Sequence, residues 1–125
     1  MNDEEKAKYL ANLYHVVIAD GDVDRVEERV FDEVRRDIRA GYLETQKAKE
    51  AAGKEGFQAE LVGRWSERVA NLEDMLFVAL CNGVVDPGEK NAIRQYARRL
   101  GIDQAQFSVI QEETKRRYAE FKRRL

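Results

Sequence analysis

The chain has 125 residues, with 22 Lys+Arg against 24 Asp+Glu and a net charge of −2. That length fits one domain around one core, and the near-balance of charge excludes a global attraction to nucleic acid or anionic lipid. No apolar run approaches the ~20 residues that span a bilayer, and a single cysteine, Cys81, excludes an intrachain disulfide.

Hydrophobic residues make up 43% and charged residues 37%, so a core lies under a densely ionic surface. The opening stretch, with Asp3, Glu4 and Glu5 after Asn2, is acidic, without the basic start and apolar stretch of a secretory signal. A cytoplasmic location and no direct membrane insertion are therefore expected. His15 and Cys81 are the only imidazole and thiol ligands, too few for a structural zinc site.

Leu10, Leu13, Tyr14, Val17 and Ile18 recur at i, i+3, i+4, i+7 and i+8, the buried stripe of an amphipathic helix. Gly21 stands where the helix ends and the chain turns left-handed. Asp24 starts the next helix as its N-cap, and Glu27, three residues on, is placed for a capping box. That helix runs through Val30, Phe31 and Val34 to Ile38. A charged, helix-prone stretch from Glu44 to Ala52 is closed by Gly53 and Gly56, and a short helix is predicted from about Phe57 to Gly63. Ser66 is read as the cap of a helix that ends near Cys81. Gly83 then turns the chain, Asp86 caps, Pro87 takes the first helical position and Glu89 the capping-box position. Gly101 stops that helix. Asp103 caps the last one, which carries Phe107, Ile110, Thr114, Tyr118, Phe121 and Leu125 at steps of three and four. Proline occurs once and β-branched alternation is absent, so the expected fold is an all-α, single-domain bundle (1–125) of six or seven helices.

The chain also resembles itself. At an offset of 62 residues, Leu10–Ile38 lies over Leu72–Leu100 without a gap. Asp20-Gly21 meets Asn82-Gly83, Val23-Asp24 meets Val85-Asp86, Glu27 meets Glu89, and Ile38 meets Leu100. Two pseudo-repeated helix–loop–helix units, about 10–38 and 72–100, are the expectation.

These residues carry a family resemblance. Ala19-Asp20-Gly21, Val23-Asp24 and Glu27, followed by Asn82-Gly83, Val85-Asp86, Glu89 and Leu100-Gly101-Ile102, resemble the TerB-like family over roughly residues 7–110. That family takes its name from a tellurite-resistance protein and includes the N-terminal domain of a membrane-anchored DnaJ-type co-chaperone. The resemblance implies an all-α bundle with pseudo-twofold repeats, a stress-response or protein-interaction role, and metal binding at the acidic turns. This chain departs from the pattern in its second loop, where Asn82 replaces an acidic residue and Val84 brings no carboxylate.

Asp20, Asp22 and Asp24, with Glu27 and Glu28 just beyond, put carboxylates at alternate positions of a tight loop, an arrangement that suits a hard cation such as Ca2+ or Mg2+. The loop is not an EF-hand, because Arg25 replaces the central glycine and Phe31 the closing glutamate. Capping is the stronger reading of Asp24 and Glu27 and leaves only Asp20 and Asp22 without a structural role. In the second turn Asn82, Asp86 and Glu89 form a weaker version of the same set. His15 aligns with Phe77 and reads as a packing residue, and Cys81 aligns with Ala19 and reads as a small buried one. No nucleophile–base pair is recognisable, so a non-enzymatic chain is expected. Lys115-Arg116-Arg117 and Lys122-Arg123-Arg124 sit among Glu112, Glu113 and Glu120 and complement the dipole of the last helix, so nucleic-acid binding is not expected. The expected partner is a protein. A homodimer through the region flanked by Tyr42, Phe57 and Trp65 and a purely structural or scaffolding domain stay open as alternatives.

Overall fold

The computed structural model describes residues 1–19, 21, 23–81 and 87–124, with the backbone alone at 87–90. The described residues form six α-helices: α1 (Asp3–Val17), α2 (Arg25–Asp37), α3 (Tyr42–Ala52), α4 (Trp65–Cys81), α5 (Pro87–Arg99) and α6 (Gln104–Arg123). The fold is an all-α bundle.

Helix limits follow local chemistry. Asn2 and Glu5 close a capping box at α1, with Oδ1 of Asn2 accepting the Glu5 N–H at 2.8 Å. Asp103 and Gln106 do the same at α6. α2 ends in a left-handed Arg39 at φ 59°, and the Ala40 N–H reaches back to the Arg35 carbonyl at 3.0 Å. Gly21 and Gly101, at φ 81° and 77°, supply the same turn after α1 and α5 without a Cβ penalty.

α1 and α4 form the centre. α1 packs against α2, α3 and α4, and α4 packs against α1, α2, α5 and α6. The predicted stripe on α1 is accordingly too narrow. Tyr9, Leu10, Ala11, Asn12, Leu13, Val16 and Val17 are all buried, whereas Tyr14 and Ile18 are half-buried. A helix covered on three sides has little solvent face to leave polar. On α4, Leu72, Met75, Leu76, Phe77, Val78 and Ala79 complete the core. The bounds of α2 shifted by 62 residues are those of α5, and in each half the first helix packs against both the second and the third.

Two expectations are corrected. Residues 57–64 are not helical. Phe57, Ala59 and Leu61 are half-buried while Gln58 and Glu60 are exposed, the period-two pattern of an extended chain. The backbone of Glu60 is taken up by the Asn12 amide, which donates to its carbonyl at 2.7 Å and accepts its N–H at 3.0 Å. Ser66 is therefore no cap. It lies inside the first turn of α4, and the Arg64 N–H at that helix start donates to Glu67 Oε1 at 2.9 Å.

Candidate functional site

The acidic turn between α1 and α2 is described at Gly21, Val23 and Asp24, and beyond into α2. Asp20 and Asp22 lie outside the described residues, as do Asn82 and Asp86 of the second turn and the side chain of Glu89. Asp24 is extended (φ −90°, ψ 168°), and its Oδ1 accepts the Glu27 N–H at 2.8 Å, the N-cap bond predicted from sequence.

The structure then separates the two glutamates. Glu28 sits on the exposed side of α2, whereas Glu27 is 0% exposed, within the core. A carboxylate at that depth is costly to keep charged unless other groups compensate it. Cys81, the last residue of α4, lies beside this turn. Its thiol is pushed up to about 12, first by burial and then by the negative charges of Asp24 and Glu27. The cysteine is thus partly buried and held protonated, close to its expected role as a small packing residue. Among the described residues no three His, Cys, Asp or Glu side chains gather into a metal-sized cluster.

His15 packs its ring on Phe57 at 5.0 Å between centroids. The basic run on α6 is largely engaged along its own helix: Lys115 with Glu112 at 3.3 Å, Arg116 with Glu113 at 3.0 Å, and Arg124 with Glu120 at 3.8 Å. Arg117 turns inward to Asp74 at 3.2 Å.

A buried polar centre, absent from the sequence reading, lies where α1 crosses α4. The Tyr9 hydroxyl donates to Asp74 Oδ2 at 2.6 Å, and Asn12 Nδ2 donates to Asn71 Oδ1 at 2.8 Å. Asn71 Nδ2 reaches the Tyr9 carbonyl at 3.2 Å, and the Tyr96 hydroxyl of α5 donates to Asn71 Oδ1 at 3.3 Å. The 62-residue offset exchanges the two main contacts, since it carries Tyr9 to Asn71 and Asn12 to Asp74. A sequence signal existed: polar Asn12 and Asp74 interrupt the two most apolar helices at aligned positions. Burial raises the Asp74 carboxyl above the usual carboxylate range against the pull of Tyr9 and Arg117, and Tyr9 is raised by burial and by Asp74.

Large apolar side chains remain on the surface at two helix starts. Tyr42 and Leu43 open α3 at 76% and 68% exposure, and Trp65 opens α4 at 55%. Phe57, named with Tyr42 and Trp65 in the sequence reading, is instead half-buried against the core. No helix among the described residues is long and apolar enough to cross a membrane. No protein-family model, curated protein or solved structure matches the chain.

Proposed function

We propose that this chain is a non-enzymatic, TerB-like helical module of the cytoplasm that acts by binding a partner protein, in a stress-response setting. The observation that carries the reading is the exposure of Tyr42 and Leu43 at the start of α3 and of Trp65 at the start of α4. Large apolar side chains stand in water there, beside a core that is otherwise well supplied with buried residues. Aromatic residues on an exposed rigid helix are the usual anchors of protein interfaces. A second copy of the chain is one such partner. Sedimentation of the wild type against a Tyr42→Ser, Leu43→Ser, Trp65→Ser variant tests it: a mass above the monomer, lost in the variant, supports self-association through these residues, and a monomer in both removes a second copy as the partner.

A divalent cation, Ca2+ or Mg2+, at Asp20, Asp22, Asp24 and Glu27 or Glu28 would tune the module by cancelling repulsion among the carboxylates and fixing the angle between α1 and α2. The buried Glu27 beside Asp24 supports this part of the reading. The test is thermal unfolding of chelator-treated protein with each ion added. A saturable rise in melting temperature, absent in Asp20→Asn/Asp22→Asn, supports the site. No rise with any ion sinks it and favours the competing reading, a scaffold whose acidic turn only caps a helix, for which the Asp24–Glu27 bond speaks.

A further inference from the structure

α6 is held to the bundle in an unusual way. Of its twenty residues only Thr114 is buried, and its second half is held by the half-buried Tyr118 and Phe121 together with Arg117. The Arg117 guanidinium lies 4.6 Å from the centre of the Phe77 ring and donates to Asp74 Oδ1 at 3.2 Å, while Tyr9 of α1 donates to the other oxygen at 2.6 Å. Three helices therefore meet on one carboxylate. Just outside Arg117 a cavity of about 160 Å³ separates α6 from α2, floored by Val30, Val34, Phe77 and Phe121. The rings of Tyr118 and Phe121 meet Phe77 edge to face, at 6.1 and 5.4 Å, and add apolar contacts to the Arg117 bond.

We propose that Asp74 is the acid-sensitive anchor of a clasp: as a carboxylate it holds Arg117, and with it the second half of α6, against α4; once protonated it lets that half of α6 lift and uncover Phe77, Val30 and Val34 as an apolar surface. The proton comes from solvent and settles on the Asp74 carboxylate. Burial is the largest influence on Asp74 and favours the neutral form, so the core tolerates protonation. What is lost is the counter-ion of Arg117, whose side chain is already 48% exposed and can return to water at little cost. The surrounding groups act in both directions. Asp37 of α2 assists protonation, Tyr9 of α1 and Arg117 of α6 oppose it, and the neighbouring Glu73 of α4 is itself raised by burial, by Asp74 and by Glu113 of α6. From α5, Tyr96 acts on Tyr9.

The clasp requires no cation and no partner, so it stands or falls apart from the proposed function. Its test is amide hydrogen exchange by NMR, corrected for intrinsic rates, as the pH is lowered through the range where the Asp74 carboxyl carbon shifts. Protection of Thr114–Arg123 is expected to fall about tenfold or more in step with that shift, the loss of one charge-assisted hydrogen bond, while α1 and α3 keep theirs. Asp74→Asn is expected to show low α6 protection at neutral pH and no response to acid. Arg117→Gln, which changes a half-exposed side chain and spares the core, is expected to show the same low protection. Protection that stays level through the titration, or that falls together with α1 and α3, overturns the proposal. So does an Arg117→Gln variant with wild-type protection along α6.

Discussion

α3 and α6 occupy corresponding places, each the third helix of its half and each laid against the central helix of that half, yet they are held very differently. α3 presents Thr45, Ala48 and Ala52 to α1, all buried. α6 presents Phe107, Ile110, Tyr118 and Phe121 to the core, all only half-buried, with Thr114 alone fully covered. Small side chains let two helix backbones approach closely. Large ones hold them further apart. Cavities border both helices: about 160, 170 and 90 Å³ along α6, beside Arg117, Ile102 and Leu76, and about 220 Å³ beside α1 and α3, lined by Ala7, Ala11, Lys47, Ala51 and Phe57. The longer, more aromatic helix buries the smaller share of its residues, Thr114 alone against Thr45, Ala48 and Ala52.

The comparison can be broken at its strongest point first. Phe77→Ala removes the ring on which Arg117, Tyr118 and Phe121 all rest, and should cost about 3–5 kcal/mol in denaturant unfolding. Ala48→Leu drives a larger side chain into the close α1–α3 contact and should cost about 1–3 kcal/mol. The matching enlargement on α6, Ala105→Leu at an exposed site, should fall within about 0.5 kcal/mol of the wild type. If Ala48→Leu proved equally mild, the account of Ala48 as a closely packed site between α1 and α3 would be wrong.

Smaller effects sharpen the picture at the turns. Asp24→Ala loses the bond to the Glu27 N–H and should cost about 1 kcal/mol, visible as a lower denaturant midpoint at unchanged slope. Arg39→Gly relieves a left-handed non-glycine residue and should stabilise by about 0.5–1 kcal/mol. At high pH the buried phenols set the direction. Tyr96 is pushed up to about 12 by burial, so the folded state keeps a proton that the unfolded chain releases from about pH 10. Stability is therefore whole below pH 10 and declines from there towards pH 12. Melting curves of Tyr96→Phe should show a shallower decline.

The sequence is most readable where the physics is local. Asp24, Gly21, Gly101 and Asp103 all stand at the helix ends that their side chains or backbone freedom dictate. Tertiary contact decides the rest. Phe57–Gly63 looked helical by composition, and its alternating burial is set by Asn12 gripping Glu60 from forty-eight positions away. Glu27 carries the pattern of a capping glutamate, but its depth depends on how α2 lies on the core, which no spacing in the sequence records. The polar centre was written in aligned polar interruptions at Asn12 and Asp74, yet its pairing across α1 and α4 becomes visible only once the two helices cross.

One feature of the surface bears on how this protein can be watched in solution. Its only tryptophan, Trp65, is more than half exposed at the start of α4. An indole already in water emits much as it will after unfolding, so intrinsic fluorescence is a poor gauge of the core here, and helical circular dichroism is the better one. The same placement makes the emission responsive to whatever docks against that helix start. A blue shift on mixing with a candidate ligand would mark the indole leaving water, with no label added to the chain.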